Sequence, residues 1–335
     1  MEKLQTTMSV PLVTIGIPTY NREWSLPPVL DSILAFDYDK KKIRLSFVDN
    51  QSKDKTMEIL RKFKEIHESE YESIDIVTAN SNISKARNIC FEMATGTDYI
   101  FFLDSDIIAP PDTIRRLLQH FDDDPSLGIA SHPWDDKNSR KRAGLLYNAF
   151  AKPNGAGYAY KVGNGCNIVS MAVYHKIGGF NEKLRVHEDG EFCFRARRAG
   201  YRIICDFSSQ ATHLRDITVN TKFYLNFAKD SAETYIQLFR DGSPLIITKY
   251  VSSLILLLAL ILLVWTRSLD TLLFFVAIAL FAIWLNSSKM ALDDGIHTKW
   301  FYVPVIGFLF TVATVVITLL SVARALGMNF GRKYN

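Results

Sequence analysis

Two aspartates one residue apart, Asp104 and Asp106 in "YIFFLDSDIIAPPDTI" (99–114), follow directly on an apolar run. On an extended segment the side chains at i and i+2 project to the same side. Carboxylates paired in this way at the lip of a buried strand supply the hard oxygen donors that Mn2+ or Mg2+ prefers, and such a cation would neutralise a nucleotide pyrophosphate. The competing reading is a helix N-cap, since a helix follows "DIIAPPDT", but Asp112 already stands in the capping position. Asp49 ends another apolar run in "FVDNQSKDKT". It can accept from a nucleobase N–H or serve only to close a turn. Lys85 and Arg87 open the helical "SKARN", where a cationic side chain can meet phosphate or sugar oxygens. Solvated surface charge is the alternative, favoured for Lys85 and not for Arg87. The carboxylates of "HED" (187–189) begin a further helix, either as proton acceptors for an incoming hydroxyl or as complements to the helix dipole. His213 in "ATHLRD" offers an imidazole that suits Mn2+, although an isolated histidine is as often structural.

These residues need a scaffold, and the chain spells one. Between 12 and 132 short apolar runs (12–17, 43–48, 73–77, 99–103 and 128–132) alternate with segments whose apolar residues recur three and four apart. That alternation predicts an α/β, Rossmann-like, mainly parallel sheet with helices on both faces. In such a sheet the ligand crevice lies outside the carboxyl ends of the strands, which is where "PTYNRE", "DNQSKDKT", "ANSNISKARN" and "DSD" all fall. Residues 133–165, rich in Gly, Asn and basic residues, read as a loop-like insertion over one edge of that crevice, its "KNSRKR" cluster as solvated charge. Helical spacing returns at Phe192, Ala196 and Ala199 before the strand-like "RIIC".

The last third of the chain is different in kind. Only seven residues between Leu245 and Val322 are charged. Three apolar segments there, 245–265, 271–285 and 300–323, predict two to three transmembrane helices, the second being short for a span. Before them, 217–243 reads as an amphipathic helix lying on the membrane surface. The expected domains are thus 1–216, 217–243 and 244–335, with the first on the cytoplasmic side of the cell membrane. A formal net charge of +4, without basic residues alternating with aromatics, excludes a nucleic-acid partner. Cys90, Cys166, Cys193 and Cys205 stand far apart, as reduced and mostly buried thiols would. Few ionisable residues sit inside the apolar segments, which disfavours a transporter.

In order along the chain, "VTIGIPTYNR", "FVDNQSKDKT", "ISKARNICFEMATGTDYIFFLDSD", "GNGCNIVSMAVYHKIGGFNE" and "EDGEFCFRARRAGYRI" resemble family 2 glycosyltransferases of the A-type fold over about residues 10–215. The resemblance implies inverting transfer of a sugar from a nucleotide diphosphate donor, foremost a UDP-sugar, with Mn2+ or Mg2+. It places Pro18, Tyr20 and Arg22 in the donor-contacting turn, Asp49 at the base, and Arg87 and Asp104 on the donor. Asp104, Asp106 and His213 would hold the cation. Asp189 would be the base and Glu188 its neighbour, binding acceptor or tuning charge. "QLFRD" (237–241) lacks the tryptophan of the QxxRW motif of processive synthases, which argues against long-chain polymerisation.

The expectation is therefore a membrane-anchored inverting enzyme acting on a hydroxyl acceptor, on a lipid-linked or cell-surface glycan, with membrane lipid as a further partner. A polyprenyl phosphate is the alternative acceptor; being anionic already, it would need less help from a base. A non-catalytic receptor or scaffold that binds nucleotide sugar is the alternative from another class.

Overall fold

The apolar runs become strands, and several are apolar on consecutive residues because helices cover both sides of the sheet they build. The computed structural model describes residues 10–136, 156–159, 161–184 and 186–214. In chain order the first elements are β1 (Val13–Thr19), α1 (Leu26–Leu34), β2 (Ile43–Asp49), α2 (Thr56–His67), β3 (Ser73–Thr78), α3 (Ile83–Met93) and β4 (Tyr99–Leu103). Next come β5 (Ile107–Ile108), α4 (Thr113–Asp123), β6 (Leu127–Ser131) and β7 (Trp134–Asp136). The remainder are β8 (Ala156–Tyr158), β9 (Cys166–Ser170), α5 (Met171–Ile177), α6 (Glu188–Arg198), β10 (Arg202–Asp206) and β11 (Ala211–His213).

Eight strands form one sheet in the order β3-β2-β1-β4-β9-β6-β10-β8. The pairs β1–β2, β2–β3, β1–β4 and β6–β10 are parallel. The exceptions are β9, which runs antiparallel between β4 and β6, and β8, antiparallel at the edge. The expectation of a mainly parallel sheet thus holds, with one central strand reversed. Apolar patterning cannot reveal that reversal, since a strand buried on both faces reads the same in either direction.

Alternation along β1 and β4 divides the core. Val13, Ile15, Ile17, Phe101 and Leu103 pack with Leu26, Ile33, Leu60, Phe63, Ile114 and Leu117, so α1, α2 and α4 cover one face. Ile100 and Phe102 pack with Phe91, Val173, Phe180 and Phe192, so α3, α5 and α6 cover the other. Gly16 is required at this second interface: a Cβ there would sit 2.8 Å from Cys90 Cβ and hold α3 off the sheet. Asn82 caps α3 by accepting from the Lys85 N–H at 2.9 Å. Asp112 stands at the N-cap of α4 yet makes no capping bond; its carboxylate pairs with Arg116 one turn on. The sequence expectation for Asp112 is corrected accordingly.

A second, three-stranded sheet joins β5, β11 and β7 in that order. It gathers segments from three parts of the chain beyond the end of β4. No helix among the described residues is long and apolar enough to cross a membrane. The expected surface helix (217–243), the apolar segments (245–323), "KNSRKR" and "QLFRD" all lie outside the described residues.

Candidate active site

Strand β4 stops at Leu103 because the next residues fold into a turn. Ile107 N–H donates to Asp104 O at 3.0 Å, and Asp104 N–H donates to Gly165 O at 3.0 Å. Asp104 and Asp106 are therefore carried by a tight turn, which corrects the expectation of an extended segment. Backbone closure, not strand alternation, aims both side chains. Two further bonds fix the turn. The buried Ser25 hydroxyl donates to Ser105 O at 2.8 Å, and Leu214 N–H donates to Asp106 O at 2.8 Å. In the small sheet His213 pairs with Ile107, and this pairing brings His213 Nε2 within 3.4 Å of Asp106 Oδ1.

The turn forms one wall of a cavity of about 240 Å3, lined among others by Pro18, Arg22, Asp104, Asp106, Trp134 and His213. Arg22 Nη2 lies 3.4 Å from Asp106 Oδ2, so Asp106 stands between a guanidinium and an imidazole. Trp134, Ile83, Ile107 and Pro18 supply the apolar part of the wall. The "GNG" segment passes close behind: a Cβ on Gly163 would collide with the Trp134 ring, and one on Gly165 would lie 2.5 Å from Ile107 Cδ1 and 3.0 Å from Asp104 Oδ2. Sequence reasoning missed Trp134, Gly163 and Gly165. Trp134 was findable, because it follows β6 at a strand end of the same polarity as those already singled out.

Arg87, expected to meet phosphate or sugar oxygens, has a side chain that is 4 % exposed and joins two carboxylates, Nη2 to Asp104 Oδ1 at 3.0 Å and Nη1 to Glu188 Oε1 at 2.8 Å. The Phe180 ring lies against the guanidinium, 5.7 Å from centroid to Cζ. Glu188, expected to bind the acceptor or to tune the charge, is paired here with Arg87. Burial pushes its carboxyl above the ordinary range, and the adjacent Asp189 adds to this while Arg87 opposes it. Asp104 is also raised: the protein around it penalises the charge first and Asp106 adds repulsion, against the pull of Arg87. It keeps about a third of its side-chain surface (32 %) exposed. Asp189 is half-buried, at the start of α6 and beside Glu188, and accepts from the Gly190 N–H at 2.7 Å. His187, the residue before α6, takes a left-handed φ of 62°. Glu191 is spent on Arg195, at 2.6 Å.

The turns after β1 and β2 are stitched into one surface. Asn21 N–H donates to Ser52 Oγ at 2.9 Å, Lys53 N–H to Asn21 Oδ1 at 2.8 Å, and Arg22 N–H to Thr56 Oγ1 at 2.7 Å. Asn21 and Gln51 hold positive φ of 52° and 55° to make the two bends. Asp49 is fully buried in this surface and accepts from the Ser52 N–H at 2.9 Å and the Ser52 hydroxyl at 2.5 Å. Its turn-closing role is thus realised in the structure. Tyr20 is exposed beside it, and Pro18 reaches the cavity. Lys85 is exposed on the first turn of α3, in keeping with solvated charge.

In donor type the residues suit a hard or borderline divalent cation: carboxylate oxygens from Asp104 and Asp106, and an imidazole nitrogen from His213. The 3.4 Å between Asp106 Oδ1 and His213 Nε2 is a separation that two donors to one ion adopt with bonds of about 2.1 Å. Among the described residues no three such side chains are grouped as a ligand set, and Asp104 is paired with Arg87. All four cysteines are free; burial pushes Cys90, Cys193 and Cys205 up to about 12, and Cys166 up as well, which removes thiolate chemistry from consideration.

Comparison with known proteins gives a consistent picture. The family described as Glycosyl transferase family 2 matches residues 14–203. An uncharacterized glycosyltransferase of Haemophilus influenzae is 35 % identical over 111 residues, 33 % of this chain and 42 % of that protein. The O-antigen chain rhamnosyltransferase RfbN of Salmonella typhimurium is 25 % identical over 227 residues, 64 % of this chain and 70 % of that one. A poly-beta-1,6-N-acetyl-D-glucosamine synthase of Staphylococcus aureus is 29 % identical over 119 residues, 36 % of this chain and 27 % of the synthase. Among solved structures, mannosyltransferase PcManGT from Pyrobaculum calidifontis, in complex with GDP-Man and Mn2+, superposes with a TM-score of 0.60 at 18 % identity, covering 96 % of this chain and 89 % of that one. S. aureus TarS 1-349 in complex with UDP-GlcNAc gives 0.54 at 15 % identity, covering 95 % and 93 %. At these identities the two structures establish the shared fold.

Proposed function

The chain belongs to glycosyl transferase family 2, and from that premise we propose that it is an inverting, Mn2+- or Mg2+-dependent hexosyltransferase that moves a sugar from a nucleotide diphosphate to a hydroxyl acceptor. The observation that carries this reading is the pair Asp104 and Asp106 on one cavity wall at the carboxyl end of β4, with Arg22 and His213 converging on Asp106.

Asp104, Asp106 and His213 would hold the cation, whose chemistry when bound is to offset the charge of the departing diphosphate. Arg22 adds positive charge on the same wall and would stabilise the same oxygens. The interlocked turns carrying Pro18, Tyr20 and Asp49 would seat the nucleotide, with Tyr20 exposed to meet a base and Asp49 holding the shape of the pocket from beneath. Asp189 would take the proton from the acceptor hydroxyl, a contribution of about 10²- to 10⁴-fold to rate. Its station at the start of α6 leaves a side chain that accepts only a local N–H among its described hydrogen bonds.

The proteins of similar fold were solved with GDP-Man and with UDP-GlcNAc, so both nucleotides belong in a donor screen. The apolar segments of 245–323 would anchor the enzyme as a multi-pass protein of the cell membrane, with the catalytic part on the cytoplasmic side, near a lipid-linked or glycan acceptor. The test is to incubate the purified chain with a panel of nucleotide diphosphate sugars and follow release of nucleotide with and without Mn2+. Slow metal-dependent hydrolysis of one donor supports the reading; binding without turnover, with or without acceptor lipids, would favour a receptor.

A further inference from the structure

Arg87 carries one positive charge and touches two carboxylates, and the balance between them has a consequence for the cation site. The guanidinium is 4 % exposed, so water screens it little. If Asp104 were its only partner, the ion pair would cancel the charge of one of the two carboxylates on the cavity wall. Glu188, 14 % exposed and 2.8 Å from Nη1, is a second buried anion on the same guanidinium. With Glu188 present, the group of Arg22, Arg87, Glu188, Asp104 and Asp106 carries a net charge of one negative. Without it, the group is neutral.

We infer that Glu188 is a positioning residue of the cation site: as counter-charge to Arg87 it leaves the charge of Asp104 uncancelled for a divalent ion, while Asp106 keeps its own pairing with Arg22. This deepens the reading of Asp104 and Asp106 as cation ligands and rests on it. Glu188 thereby differs in role from its neighbour Asp189, although the two adjoin in sequence. The tie also links the start of α6 to the turn that ends β4.

The experiment is a direct titration of Mn2+ alone into the full-length chain, read by the electron paramagnetic resonance signal of the free ion, for wild type, E188Q, D106N and the double variant R87Q/E188Q. E188Q keeps the shape and removes the charge; it is expected to weaken Mn2+ binding roughly tenfold or more, the scale on which partners just outside a metal's ligands act. The double variant removes the opposing charges together and is expected to return to within about threefold of wild type, which a loss of acceptor contact would not produce, and melting curves of both variants separate it from a rescue of folding. E188Q binding Mn2+ like wild type, or R87Q/E188Q binding no better than E188Q, overturns the inference. Unchanged Mn2+ binding in D106N would instead remove the cation reading beneath it. Should E188Q fail to fold, R87Q takes its place: with Glu188 kept and the opposing charge removed it is expected to bind Mn2+ at least as tightly as wild type, and weaker binding opposes the inference.

Discussion

His213 Nε2 stands 3.4 Å from Asp106 Oδ1, and the pair exists because β11 is hydrogen-bonded alongside β5 in a sheet separate from the main one. Asp106 therefore owes its setting to the far end of the described chain, while Asp189 owes its own to α6. The two aspartates should separate experimentally. Asp106→Ala and Asp189→Asn are each expected to lower transfer by at least about 10²-fold. Only the first should weaken Mn2+-dependent nucleotide binding measured by calorimetry. Equal loss of binding in both would contradict the division of roles.

The turn of Asp104 and Asp106 hangs on a buried hydroxyl. Ser25, fully buried, donates to Ser105 O at 2.8 Å and so ties the start of α1 to the site. Ser25→Ala leaves that carbonyl short of a donor, a loss of about 1–3 kcal/mol. Thermal unfolding should register it, and the Michaelis constant for the donor should rise as the turn loosens.

Gly165 leaves no room for a side chain beside Asp104. A Cβ would stand 3.0 Å from Asp104 Oδ2, and relief requires Asp104 or Ile107 to move. Gly165→Ala is expected to cost about 1–3 kcal/mol of stability as an overpacked site. Donor affinity should fall together with it, whereas Gly157→Ala, open on all sides, should leave both unchanged. A donor affinity unaltered in Gly165→Ala would show that this wall is not used.

Acid should destabilise the fold in two windows. His132 is fully buried, with Nδ1 2.9 Å from Asp206 O and, among the described residues, no hydrogen-bond partner for Nε2. Burial lowers its pKa below the ordinary 6.5. The unfolded chain therefore binds the proton more readily, so this contribution is complete above about pH 6.5 and is lost as pH falls through that value toward the lower folded one. The Asp206 carboxyl is held below its ordinary 3.8 mainly by the Ser208 hydroxyl and N–H, with help from His120, and these outweigh its burial. Its contribution is present above about 3.8 and disappears below it. Melting temperatures between pH 7.5 and 5.5 should decline in the wild type and decline less in His132→Gln.

The four thiols should be silent. Three are pushed up to about 12 and the fourth in the same direction, so almost no thiolate exists at neutral pH. An aromatic disulfide reagent is expected to react with none of them in the folded protein within minutes, and with all four in guanidinium. Rapid labelling at neutral pH would contradict the burial of these thiols.

How much of this was written in the chain can be judged residue by residue. The strands of 12–132 were legible because apolar residues run together where helices cover both faces, as in β4, or alternate with polar ones at the sheet edge, as in β3, and the helices because their apolar residues recur at a helical period. Their polar ends named Asp49, Asp104, Asp106 and the "PTYNR" turn as a group, since in a sheet of this polarity all such ends open on one crevice. Spacing could not say that Asp104 and Asp106 share a tight turn, because that depends on Ile107 N–H finding Asp104 O and on Gly165 receiving the Asp104 N–H. Nor could it say that β9 enters the sheet reversed, that Arg87 is consumed by two carboxylates, or that Trp134 walls the cavity beside His213. Local residue type sets which segments are apolar and which groups can bond. Which buried charge faces which is decided only when distant segments pack and each must find a partner out of water.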